Sequence, residues 1–267
     1  MSAPEKEMSF LDHLEELRSH IIRSVIAIMV CAVVIFVFKD FVFDTIVFGP
    51  AHVDFISFRA WCRLSEYLSL GDKLCISEIP YHMQNTTMSG SFMAHILISA
   101  IGGLIVAFPF VFWQIWIFIK PGLRQTEARM ARGIVFFTSL LFFIGVLFGY
   151  FVIVPLSLQF LGGYDVGGVP NIITISSYMK LVASICLASG VMFLLPMVVY
   201  ALSKLGIITP AILKQYRKHA VVAVLVLAAI ITPPDVASQI LVALPVFLLY
   251  EISILISARV TKQVKQD

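Results

Sequence analysis

Two carboxylates, Glu16 and Glu127, stand in polar, cation-bearing stretches that border long apolar runs. A guanidinium pairs with a carboxylate through two parallel N–H···O bonds, so two such acids could take two arginines of a ligand. Each acid also has a purely structural reading. Glu127 follows Thr126 at the first turn of a helical run, where the helix dipole favours an anion. Glu16 falls on the wet face of an amphipathic helix. A third acid, Glu251, lies inside an apolar run. An ionised acid at the centre of a bilayer costs about 2–3 kcal/mol on insertion scales, so Glu251 must face protein or water, hold a proton, or bond a neighbouring helix. Thr232, Asp235 and Gln239 surround a turn. Asp235 could cap the helix that follows it. Thr232 and Gln239 could form a polar patch where another transmembrane helix docks.

Other chemistry finds no constellation. The sequence lacks H-E-x-x-H, Gly-x-Ser-x-Gly, Gly-x-x-x-x-Gly-Lys and Cys-x-x-Cys. Its six histidines are scattered and suggest no metal site. Ser89-Gly-Ser91 has no histidine placed to serve it. The expectation is therefore a protein that is not an enzyme and carries no cofactor or metal. No basic stripe suited to nucleic acid is present. Cys62 and Cys75 share one polar loop, where an oxidising compartment would let them pair for a few kcal/mol at most. Cys31 and Cys186 lie in apolar runs.

The elements that position these residues are helices in a membrane. Of 267 residues 60% are hydrophobic and 13% charged, and the mean hydropathy is +0.96. That charge is about half what covers a soluble domain. The class is an all-α polytopic membrane protein. Met1 to Leu17 is acidic and polar, which fits neither a cleavable signal peptide nor a transit peptide, so the first span would serve as its own insertion signal. Ser9 and Asp12 fit a helix start, and residues 1–20 read as an amphipathic cytoplasmic segment.

Six spans follow, at about Ile21–Phe38, Met88–Ile119, Met130–Val154, Ser177–Ser203, Ala220–Ile231 and Val236–Ser257. They make a membrane domain over 21–257, with a basic cytoplasmic tail at 258–267. Residues 40–87 form a cap loop on the far side, with a helical piece from Asp54 to Leu70. Pro109 and Pro196 fall inside spans, Pro155 ends the third, and Thr209-Pro210 restarts a helix. The fifth span is short, rising about 18 Å against roughly 30 Å of hydrocarbon. With both termini cytoplasmic, fourteen of the nineteen Lys and Arg lie on that side, and only Lys39, Arg59, Arg63, Lys73 and Lys180 lie opposite. The positive-inside rule therefore gives N-in and C-in. Gly145-Val-Leu-Phe-Gly149 reads as ordinary close packing of helices.

Several motifs, in order, resemble the TatC family, the receptor subunits of the twin-arginine protein translocase. They are Phe10-Leu-Asp-His-Leu-Glu-Glu-Leu-Arg18, Pro50, Gln114-Ile-Trp-Ile-Phe118 with Pro121-Gly-Leu123 and Glu127, and Phe142-Phe-Ile-Gly145 with Phe148-Gly-Tyr-Phe151 and Pro155. Thr232-Pro-Pro-Asp-Val-Ala-Ser-Gln239 and Tyr250-Glu-Ile252 complete the set. The resemblance implies a six-helix, glove-shaped bundle with short fifth and sixth helices and a periplasmic cap loop, in the bacterial inner membrane. It implies recognition, with TatB, of signal peptides bearing paired arginines, and recruitment of TatA to export folded proteins on the proton-motive force. It implies membership of a homo-oligomeric receptor complex.

By position, Glu16 and Glu127 would contact the twin arginines, and Arg18 and Phe118 would belong to the same surface. Thr232 and Gln239 would belong to the docking site for TatB or TatA, while Asp235 would hold the turn between the last two helices. Pro50 and Glu251 would be structural. One position departs: family members often carry Glu or Gln two residues before the proline of the fourth span, and here that residue is Leu194. The alternative reading is a six-span solute transporter or channel, which would need a midplane polar site built on broken helices.

Overall fold

The computed structural model describes residues 10–67, 75, 82–119, 131–164, 172–204, 206–231 and 236–264. Ten helices carry the account: α1 Phe10–Val37, α2 Ile56–Tyr67, α3 Gly90–Ile119, α4 Ala131–Phe148, α5 Val154–Gly163, α6 Ile175–Met192, α7 Leu195–Lys204, α8 Pro210–Gln215, α9 Arg217–Ile231 and α10 Val236–Val264. Two compact units divide the chain. The first holds residues 1–38 and 99–139, the second 39–98 and 140–267.

Among the described residues, five stretches are long and apolar enough to cross a membrane: Leu14–Val37, Gly90–Ile119, Gly133–Gly163, Ile175–Lys204 and Val242–Lys262. Their outward residues are apolar. On α1, Val25, Ile26, Met29, Val30 and Val33 are all exposed, as a helix facing lipid requires. Small hydroxyl residues lie inside instead, among them Ser99, Thr138, Ser157, Ser203 and Ser257. Side chains this small let helix backbones approach. Helix α9, where the sequence places a short fifth span at Ala220–Ile231, has 15 residues, or about 22 Å, and is not among those five stretches.

Three features depart from the sequence reading. The last helix is not short: α10 has 29 residues. The chain from Ala258 to Val264 contains no helix breaker, Thr261 Oγ1 donates to the Ser257 carbonyl, and Val260 is buried. The basic tail is thus helical as far as Val264. Second, Pro155 does not end the third span. A π-helical stretch, Gly149–Ile153, precedes it and Pro155 enters the first turn of α5. The wider turn accommodates a residue that has no N–H and whose ring would crowd the carbonyl four residues back. Third, a parallel two-stranded sheet pairs His82–Gln84 with Ile172–Thr174. Three-residue strands are too short to leave a periodic signal.

Other boundaries follow local chemistry. Pro196 lies just past the break between α6 and α7, where Phe193 and Leu194 form a turn. Thr209 caps α8 by accepting from the Ile212 N–H, with Pro210 in its first turn. In the first unit, α1 and α3 touch closely, because a Cβ built on Gly103 would come within 2.7 Å of the Ala32 backbone. In the second unit, a Cβ on Gly145 would lie 2.6 Å from the Ser189 carbonyl oxygen, and one on Gly149 2.9 Å from Ser189 Oγ. The small-residue pair therefore makes the crossing with α6. Helices α7, α8 and α10 share a core of Val199, Leu213, Tyr250 and Ile254. Its polar ties are Tyr250 Oη to the Leu213 carbonyl at 2.6 Å and Ser203 Oγ to Ser257 Oγ at 2.7 Å.

Candidate functional site

Helix α1 presents Glu16 and His20 one turn apart, and α3 presents Gln114 and Phe118 one turn apart. All four lie in the first unit. His20 Nδ1 donates to Gln114 Oε1 at 2.6 Å, and both side chains are buried. The edge of the His20 ring meets Phe118 at a centroid distance of 6.4 Å, within the range of favourable aromatic pairs. His20 Nε2 faces Glu16 Oε1 at 4.0 Å, which is beyond hydrogen-bond length. The other carboxylate oxygen, Glu16 Oε2, is buried with no hydrogen-bond partner among the described residues. A groove of about 610 Å³ opens here, lined by Glu15, Glu16, Ser19, His20, Arg23 and Ile117.

A carboxylate with an unsatisfied, desolvated oxygen is poised to accept from a donor that enters the groove. Phe118 adjoins that acid through His20. Arg18 does not share its face: two residues on, it lies about 200° round the helix and is exposed. Glu127, Thr232 and Asp235 lie outside the described residues. The sequence reading passed over His20, although the four-residue interval from Glu16 was a usable signal.

The remaining candidates lie in the second unit. Gln239 Nε2 donates to the Leu225 carbonyl at 3.1 Å, tying α10 to α9. Glu251 is neither solitary nor held by a neutral partner: Arg217 Nη2 donates to its Oε2 at 2.6 Å. An apolar groove of about 230 Å³ runs beside that pair, between Val221, Val224 and Leu225 of α9 and Ile240, Ala243, Leu244 and Phe247 of α10. Pro50 is fully buried in a 3₁₀ turn, Gly49–Ala51. The adjoining π-helix Val42–Val47 leaves carbonyls that phenols satisfy: Tyr150 Oη donates to Ile46 at 2.6 Å and Tyr178 Oη to Val47 at 2.7 Å. Phe55 stacks on Phe151 and meets Tyr150 edge-on, anchoring α2, where Cys62 forms a disulfide with Cys75.

Comparison with known proteins agrees with this arrangement of helices and motifs. The family described as Sec-independent protein translocase protein (TatC) matches residues 12–245. The Sec-independent protein translocase protein TatC of Blattabacterium sp. subsp. Periplaneta americana (strain BPLAN) is 38% identical over 265 residues, covering 98% of this chain and 100% of the relative. That of Helicobacter pylori (strain ATCC 700392 / 26695) is 41% identical over 175 residues, 66% of this chain and 69% of the relative. Among solved structures, the twin arginine translocase receptor TatC crystallised in DDM superposes with a TM-score of 0.72 at 33% identity. It covers 91% of this chain and 98% of that one.

Proposed function

The chain belongs to the TatC family of Sec-independent protein translocase proteins, and we propose that within that translocase it is the subunit that recognises signal peptides carrying paired arginines. It is a multi-pass membrane protein of a protein-transport system. The observation that carries the proposal is Glu16, which lines an open groove and whose Oε2 is buried without a hydrogen-bond partner among the described residues. Glu16 takes one guanidinium and Glu127 the other, with Phe118 packing the wall behind them. Arg18 serves from the opposite, exposed face of α1.

The same reading extends to the surroundings. The cation bias puts both termini in the cytoplasm of a bacterium, with the protein in the inner membrane and the disulfide-bonded loop outside. Residues 1–20 form the cytoplasmic segment, 21–257 the membrane domain and 258–267 the basic tail. The polar end of α9 and α10, with Thr232 and Gln239 and the turn held by Asp235, receives the transmembrane helices of TatB and TatA. Copies of the chain assemble in one receptor complex, which passes folded cargo using the proton-motive force and performs no catalysis of its own. A transporter would need a polar group free near the midplane. Glu251, the acid the sequence offered for it, is committed to Arg217.

Site-specific photocrosslinking in membranes tests the proposal. A probe beside Glu127 is expected to capture an Arg-Arg signal peptide, to fail with Lys-Lys, and to lose the crosslink in a folded Glu127→Ala chain. Equal capture of both peptides, indifferent to that substitution, would return Glu127 to a helix-start role.

A further inference from the structure

We propose that His20 is a second acceptor for the guanidinium that Glu16 binds, a proposal that rests on the reading of Glu16 given above. The Gln114 carbonyl oxygen fixes the ring, because the hydrogen bond at 2.6 Å requires the proton on Nδ1. In the neutral imidazole Nε2 is then a lone pair. It faces Glu16 Oε1 at 4.0 Å, so two acceptors confront each other with no donor between them. Glu16 Oε2 also lacks a donor among the described residues. Three acceptor atoms thus converge at one groove, and what they lack is a rigid, planar group with several N–H bonds. A guanidinium supplies five in a fixed fork, whereas an ammonium is a point charge with three rotating donors. The arrangement favours arginine over lysine for a geometric reason that charge alone would not give.

Protonation reverses the role of His20. An imidazolium has no lone pair, and it sets a positive charge 4.0 Å from the carboxylate, where it competes with the incoming guanidinium. Even at the dielectric of water such a charge is worth about 1 kcal/mol, or about fivefold in affinity. Among the described residues, the titratable or charged groups lining the groove with His20 are Glu15, Glu16 and Arg23, all on α1. Helix α3 faces it with Gln114, Ile117 and Phe118, none of which titrates.

The test measures binding of an Arg-Arg and a Lys-Lys peptide, both lacking histidine, to the full chain in lipid nanodiscs at pH 8 and pH 5.5. The wild-type protein should bind the Arg-Arg peptide at least about fivefold more weakly at pH 5.5. The double variant His20→Phe/Gln114→Leu removes the imidazole without orphaning the buried amide. It should bind about tenfold more weakly at pH 8, as loss of a charge-assisted bond implies, and show no pH dependence. His20→Gln, which keeps an acceptor, should recover part of the affinity and remain flat with pH; it replaces the double variant if that chain does not fold. A wild-type affinity that does not change with pH, or variants that bind as wild type does at pH 8, would overturn the role of His20. Glu16→Gln separates the two readings. If it binds as wild type does, the carboxylate reading fails. If it loses binding while the His20 variants do not, only the present inference fails.

Discussion

Arg217 donates from Nη2 to Glu251 Oε2 across 2.6 Å, and this bond joins the first turn of α9 to α10. An acid within an apolar run is thereby paired with a fixed cation. The pair is not fully desolvated, since the side chains keep 49% and 32% of their exposure. Its contribution is accordingly modest.

A double-mutant cycle with Arg217→Ala and Glu251→Ala, read by thermal unfolding in detergent, should give a coupling on the order of 1 kcal/mol. Glu251→Gln should cost less than Arg217→Ala, because the latter leaves a carboxylate without its cation. Additive effects of the two alanines would show that the pair is incidental.

The glycines of the third span make opposite predictions. A Cβ on Gly145 would meet the Ser189 carbonyl oxygen at 2.6 Å and Phe193 at 2.8 Å, while one on Gly133 meets nothing within 4 Å. Gly145→Ala should destabilise by about 1–3 kcal/mol. Gly133→Ala should be neutral or stabilise by up to about 1 kcal/mol, since alanine is the better helix former. Equal unfolding midpoints for the two variants would contradict the close crossing of α4 and α6.

The Cys62–Cys75 disulfide closes a loop with a sequence separation of 13. Chain-entropy arguments assign such a loop about 3 kcal/mol. Alkylation of the unfolded, unreduced chain should therefore modify two cysteines, Cys31 and Cys186, and alkylation after reduction all four. Four modified cysteines without reductant would exclude the bond. Cys62→Ser/Cys75→Ser should unfold at lower temperature than wild type.

The helical framework was legible because apolar runs, prolines and the Thr209-Pro210 start are local signals. Pairings across the chain were not. Arg217 lies 34 residues from Glu251, and no periodicity links them. His20 looked like one scattered histidine until the fold placed Gln114, 94 residues away, against its ring. The length of α10 was misread for a different reason. The basic residues after Ser257 mark a cytoplasmic tail in the sequence, yet Val260 packs inward while Arg259 and Lys262 stay exposed, so the helix continues as an amphipathic one. The two short strands depend on each other for their hydrogen bonds, and neither is visible alone.

The most direct test of carboxylate-based recognition is the ratio of affinities for an Arg-Arg and a Lys-Lys signal peptide at pH 8. It should be measured on the full chain in nanodiscs, for the wild-type protein and for Glu16→Gln/Glu127→Gln. The account predicts a wild-type preference for Arg-Arg of about tenfold or more, collapsing towards unity in the double variant while its unfolding midpoint is kept. A preference that survives removal of both carboxylates would contradict it and place the recognition of arginine elsewhere on the chain.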